Sequence, residues 1–159
     1  MTAVICTAAG AAFSAALERR CAVLRDIAAI IEGMRVKIRY RSVRMSELIS
    51  EAASEARFAR CGFIHTVSEK MHGGMSVNEA WCEAASRALF ITEADRDILK
   101  GIGADLGCSD TDGQLSLLAL GASMIEKAID EAERERTAKS RMILSVWTLC
   151  GIGAGILLI

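Results

Sequence analysis

The sequence contains no proline. Because proline breaks helix interiors, its absence permits long uninterrupted helices, although it does not compel them. Aromatic residues are almost as scarce, at 4% of a chain that is 52% hydrophobic. The apolar mass therefore lies in aliphatic and alanine-rich stretches instead of a large aromatic core. Paired CxxC spacing is missing as well. The six cysteines, at positions 6, 21, 61, 82, 108 and 150, fit buried reduced thiols in a cytosol-facing protein better than a disulfide framework. Neither sign of charge dominates. The net charge of -1 excludes no partner class, so the distribution of charge carries the information. At 159 residues, with no Pro/Gly/Ser-rich linker, internal repeat or low-complexity tract, the chain allows one domain with appendages.

Charge is also absent from both ends. Residues 142–159, MILSVWTLCGIGAGILLI, are eighteen consecutive uncharged positions, about 27 Å of helix, which meets the lower limit for a membrane span. The closing glycines do not form a phosphate loop, because a nucleotide site needs chain after the glycines and a basic residue, and only four aliphatic residues follow Gly155. Gly151 and Gly155 instead form GxxxG, a spacing that lets two helix backbones approach in a bilayer. Their alternative role is as ordinary small residues of a span. At the other end, residues 2–17 are sixteen uncharged positions with no basic residue before them, so a cleaved secretory signal does not fit. Arg19 and Arg20 follow this run, and Arg134, Arg136, Lys139 and Arg141 precede the C-terminal one. Positive-inside logic then predicts three segments: a span over 2–17, a cytoplasmic helical domain over 18–141, and a span over 142–159.

The middle is patterned for helices. Leu24, Ile27, Ile31, Met34 and Ile38 recur at steps of three and four. MRVKIRYR also alternates like a half-buried strand, but continuity with the upstream stripe favours helix. A turn over 42–46 leads to a short helix carrying Leu48, Ile49, Ala52 and Ala53. Another carries Phe63, Val67 and Met71 and breaks at His72, Gly73 and Gly74. Ser76 to Glu79 has capping-box spacing, and Thr92 to Asp95 repeats the start signal, with Gly107 as the stop. Leu115, Leu118, Ala122, Ile125, Ile129 and Ala132 line a last helix, capped by Ser109 or Asp110, that runs into the C-terminal apolar stretch. The expected fold is all-α: an antiparallel hairpin of the two long helices, with short helices at its far end and membrane helices at both termini.

Chemistry finds little purchase. Cys61, His65, His72 and Cys82 could be drawn as a zinc set, but the spacing matches no tight ligand pattern. Cys61 and His65 lack an orienting third group or an oxyanion site. SDTDGQ starts like a calcium loop, yet its later acidic ligand is absent, and helix capping accounts for its aspartates. GIGADLG does not satisfy GxGxxG and no strand pattern precedes it. No cofactor, metal or catalytic residue is implied. The remaining signal is electrostatic: Arg35, Lys37, Arg39, Arg41 and Arg44 gather at the end of the first long helix and make a candidate partner-binding patch for an acidic surface. Solvated charges flanking a core stripe are the alternative. Nucleic acid fits poorly, since a single tyrosine lies near the patch.

Ile38 and Tyr40 before a short helix, Gly74-Met75-Ser76 leading to Glu79-Ala80-Trp81, Leu106-Gly107-Cys108-Ser109-Asp110 with Gln114, and a charged helix entering an apolar C-terminus together resemble the stage III sporulation protein AB family over residues 34–159. Lys37 and Arg44 depart from it, standing where the family usually has glutamate and proline. The resemblance implies a non-catalytic component of the sporulation complex between mother cell and forespore, anchored in the mother-cell membrane around the forespore. Its soluble region would be similar to the cytoplasmic domain of the type II secretion inner-membrane platform protein. The implied partners are the stage III sporulation ATPase and other channel components, and a homo-oligomer stays open. Carried over as family motif, in a structural or interaction role, are Gly74, Ser76, Glu79, Trp81, Gly107, Ser109, Asp110 and Gln114. Two alternatives stand: a platform component of a general type II secretion or pilus system, and a small membrane-anchored metal or thiol enzyme built on Cys61, His65, His72 and Cys82.

Overall fold

The computed structural model describes the backbone of residues 2–41 and 43–157 and the side chains of 15–41 and 43–138. Its elements are α1 (Thr2–Tyr40), α2 (Met45–Ser54), a single 3-10 turn (Ala56–Phe58), α3 (Gly62–His72), α4 (Val77–Arg87), α5 (Glu93–Ala104) and α6 (Thr111–Leu157). Among the described residues there is no strand, so the chain is all-α. MRVKIRYR completes α1 as helix. Met34 is buried and Ile38 packs against the core, whereas Val36 and Tyr40, which a strand would have placed beside Ile38, are exposed.

The two long helices form the spine. Along α1 the buried positions Leu17, Arg20, Leu24, Ile27, Ile31 and Met34 follow steps of three and four, with Cys21 and Ile30 buried beside them. On α6 the deepest positions are Gln114, Leu118, Gly121, Ile125, Ala128 and Ala132. The stripe expected from sequence is thus turned by one residue: Leu118, Ile125 and Ala132 hold its centre, and Leu115, Ala122 and Ile129 slip to half-buried flanks. The cause is α5, which packs on the same side. A Cβ on Gly121 would stand 2.6 Å from Ile102 Cδ1, so the glycine admits that side chain where a larger residue would push the helices apart.

Ion pairs give the register of the hairpin. Glu18 pairs with Arg136, Arg20 approaches Glu135 and Arg25 pairs with Glu133, so rising numbers on α1 meet falling numbers on α6. Both helices therefore head for their termini at the same end, called proximal below. The apolar runs 2–17 and 142–159, with the Gly151 and Gly155 pair, fall almost wholly outside the residues whose side chains are described. Among the described residues no helix is long and apolar enough to cross a membrane.

The short helices do not gather at the far end of the hairpin as the sequence suggested. They zigzag along its flank, each packing on the next from α1 through α2, α3, α4 and α5 to α6. Trp81 anchors them. Fully buried, it meets Phe63 edge-on at 4.9 Å between ring centres and donates its indole N–H to the Leu99 carbonyl at 2.9 Å. Burying side chains such as Ile27, Ile49, Ile64 and Leu99 contributes about 1.5–3 kcal/mol each. Both predicted capping boxes form, at Ser76/Glu79 and Thr92/Asp95. Gly107 is not the residue that ends α5, which stops at Ala104 with Asp105 as its cap; Gly107 turns the chain three residues later, at φ +82°.

Candidate functional site

At the distal end, opposite the termini, three connections converge: the turn after α1, the α3–α4 turn and the α5–α6 loop. Between them lies a cavity of about 470 Å³ lined by Ile38, Val43, Arg44, Met45, Ser46, Ser76, Val77, Asn78, Leu106, Gly107, Cys108, Ser109, Thr111 and Gln114. Four residues of the sequence motif, Ser76, Gly107, Ser109 and Gln114, meet there although they come from two segments of the chain.

Local chemistry shapes each wall. Gly74, at φ +93°, turns the chain out of α3 in a conformation that a side chain would strain. Ser76 then caps α4: its hydroxyl accepts from the Glu79 amide at 3.4 Å, and its own amide donates to the Glu79 carboxylate at 3.2 Å. The Ser76 hydroxyl also donates to Glu79 at 2.7 Å and holds that carboxyl below its ordinary range. Opposite, Gln114 acts as a neutral clamp. Its amide oxygen accepts from Gly107 N–H at 3.1 Å, and its nitrogen donates to the Asp105 carbonyl at 3.2 Å and to Ser109 Oγ at 2.8 Å. Asp110 caps α6 by accepting from Gly113 N–H at 3.0 Å. Glu79 and Asp110 thus shape the neighbouring helix starts without lining the cavity, and Trp81 belongs to the core between α3, α4 and α5.

The basic patch is divided by the fold. Arg35 pairs with Glu32 at 2.5 Å, and Lys37 reaches Glu51 at 3.1 Å and Glu55 at 3.0 Å. Burial pulls the Lys37 ammonium down, but these two carboxylates outweigh it and leave its pKa raised. Lys37, one of the two departures from the resemblance, is therefore committed to α2 within the chain. Arg39, Arg41 and Arg44 stay exposed with no ion pair among the described residues, and Arg44 borders the cavity. What remains for an acidic partner is a smaller cluster at the distal rim.

The residues of the enzyme alternative do not assemble. Among the described residues no group of three or more His, Cys, Asp or Glu could hold a metal ion. Burial pushes the Cys61 and Cys82 thiols up, away from the thiolate form that reactivity requires. His72 spends Nδ1 on the Ser68 carbonyl at 2.7 Å, and Cys82 faces the Lys100 carbonyl at 3.6 Å.

A pair that sequence reasoning missed lies at the proximal end. Arg20, read from the sequence as part of the basic flank of the N-terminal apolar run, is buried, and its guanidinium grips Asp95 with Nε at 2.8 Å and Nη2 at 2.9 Å. Burial pushes the Asp95 carboxyl up, but the guanidinium and the Thr92 amide and hydroxyl overcome this, so the acid is held below its ordinary range. Asp95 does double duty as capping-box partner and salt-bridge acceptor. The only hint in the sequence was an arginine at a core step of the heptad.

The family model for stage III sporulation protein AB matches residues 1–159. The chain belongs to this family. Its role is accordingly in sporulation. No curated protein matches the sequence. Among solved structures, one titled stage III sporulation protein AB (SpoIIIAB) is similar in fold, with a TM-score of 0.66 and 18% identity over 76% of this chain and 98% of that one. The family match spans the whole sequence, wider than the stretch from residue 34 that carried the resemblance, and so takes in the proximal half of α1 with Arg20.

Proposed function

We propose that the chain is a non-catalytic, membrane-anchored adaptor of the sporulation complex between mother cell and forespore, with its helical domain in the mother-cell cytoplasm. In this role it couples the stage III sporulation ATPase to channel components in the membrane. The observation that carries the proposal is the polarity of the molecule. Charge-free segments end both long helices on one side, while four residues of the family motif line a cavity at the other, with Arg44 on its rim and the exposed Arg39 and Arg41 close by in sequence, none of the three in an ion pair among the described residues. A stiff antiparallel hairpin joins them, which suits a part that transmits position better than one that turns over substrate. A general secretion or pilus role draws no separate support, because the family match is to a sporulation protein.

The test is co-purification of the stage III ATPase with the full chain from detergent-extracted membranes of sporulating cells. Charge reversal of Arg39, Arg41 and Arg44 to glutamate is expected to abolish co-purification and lower the yield of heat-resistant spores, with membrane retention and thermal midpoint unchanged. Undiminished co-purification would exclude the distal rim as the docking surface. Recovery of the full chain in the supernatant without detergent would exclude anchoring.

A further inference from the structure

The α4–α5 loop presents an apolar tip that packing does not explain. Leu89 is 70% exposed and Phe90 55% exposed, side by side, while their neighbours Ala88 and Ile91 are buried. Phe90 is also the non-glycine residue among those described that sits at positive φ, +64°. A bulky residue resists this left-handed conformation, yet it is held here with the ring more than half exposed. A large apolar side chain held strained and exposed calls for something outside the chain to cover it.

The position of the tip says what that is. The Arg19 guanidinium lies over the Phe90 ring at 5.5 Å. Arg19 is two residues past Leu17, where the charge-free run 2–17 stops, a rise of about 3 Å along a helix. The tip therefore stands at the level where α1 leaves the apolar segment. Beside it is a hollow of about 230 Å³, apolar where Val23, Phe63 and Ala84 line it and basic where Arg60 and Arg87 do. Arg19 and Arg60 have no ion pair among the described residues; Arg87 shares Glu83 with Lys70, and Glu93, at the start of α5, is engaged by Arg96 and Lys100. Exposed aliphatic and aromatic groups flanked by Arg19 and Arg60, with Arg87 beside them, complement the acyl–headgroup boundary of an anionic bilayer.

We propose that Leu89 and Phe90 insert into the bilayer interface as a third contact, fixing the height and tilt of the helical domain above its two terminal segments. The inference rests on the membrane anchoring proposed above. With the third contact made, the Arg20–Asp95 clasp, five residues along, ties the tip to α1, so the domain cannot pivot freely about its roots.

The experiment uses the full chain in vesicles of phosphatidylcholine and phosphatidylglycerol, with phosphatidylcholine brominated on its acyl chains as quencher. Trp147 lies in the C-terminal apolar run and is replaced by Trp147→Phe; Trp81, fully buried, remains as an internal reference. In this background Phe90→Trp is expected to add a blue-shifted emission that the brominated lipid largely removes, with Trp81 emission unaffected. Leu89→Trp, at the more exposed of the two positions, is expected to behave alike. Phe90→Gly relieves the backbone strain, so its thermal midpoint is expected to be unchanged or raised, showing that the ring is not there for folding. A chain that floats with the vesicles while the tryptophan introduced at either position stays unquenched overturns the third contact alone. A chain that does not float overturns the anchoring and this contact together.

Discussion

The two ends of the domain are held by different forces. At the proximal end α1, α5 and α6 are joined by charge: the buried Arg20–Asp95 pair, Arg20 toward Glu135, Arg25 with Glu133 and Arg136 with Glu18. Around the distal cavity the loops are tied mainly by hydrogen bonds, from the Gln114 clamp, serine and aspartate caps and two glycine turns, and the ion pairs nearby, Lys37 with Glu51 and Glu55, join α1 to α2 and not to α5 or α6. A buried bidentate pair tolerates little displacement, because moving either partner leaves a charge in a poor dielectric. Neutral hydrogen bonds at a solvent-lined cavity can be exchanged for water or for a partner at modest cost. The contrast suits the proposed adaptor, which would be rigid where it is rooted and adaptable where it docks.

The largest break in that contrast is expected from Asp95→Ala. It orphans the buried Arg20 guanidinium and removes the reciprocal half of the α5 capping box, the Asp95 carboxylate on the Thr92 amide, and should cost about 3–5 kcal/mol, read as a fall in the urea midpoint of the purified chain. Adding Arg20→Met should recover much of the loss, since the orphaned charge is then gone. The same pair carries a pH signature. Because the folded-state pKa of Asp95 is depressed, its contribution is present above the ordinary value of 3.8 and fades as pH falls through the lower folded value. The stability gap between wild type and Asp95→Ala should therefore stay level above pH 3.8 and close below it. A gap unchanged into stronger acid would mean that packing, not charge, holds the proximal end.

Next comes the core that joins the two ends. Gly103→Ala would place a Cβ 2.4 Å from Trp81 Cδ1, and the fully buried indole, tied to Leu99 by its N–H, has nowhere to yield. A loss of about 1–3 kcal/mol in thermal unfolding is expected. An unchanged midpoint would show that the α4–α5 interface is looser than described.

The smallest effect belongs to the distal loop. Gly107→Ala meets no atom within 4 Å, so its only cost is the positive φ of +82°, about 1 kcal/mol. Loss of spore yield well beyond that of an equally destabilised core variant would mark the loop as a docking element.

Much of the fold was legible because it rests on local rules. Ser76/Glu79 and Thr92/Asp95 announce helix starts within four residues, and both boxes form as their spacing predicts. The breaks at Gly73–Gly74 and between Tyr40 and Met45 likewise separate helices close to where the pattern said they would. The one-residue turn of the α6 stripe was not legible, since it depends on Ile102 arriving from α5 opposite Gly121. Nor was the division of the basic patch, because Glu51 and Glu55 claim Lys37 only once α2 folds back on α1. The motif residues were found one by one, but their shared cavity was invisible: Ser76 and Gly107 lie on separate turns that only packing brings together.

The amino-acid sequence alone determined that this chain is helical, roughly where each helix begins and ends, and that charge is missing from both termini. Those properties depend on dihedral preference, capping and periodicity within a few residues. Tertiary structure alone decided that Arg20 is a core residue and not a surface charge, that Phe90 faces outward, and that the distal turns enclose a cavity. The partners that settle these matters are remote in the chain, Arg20 and Asp95 by 75 positions, and no local pattern records which distant group will neutralise a charge or cover a ring.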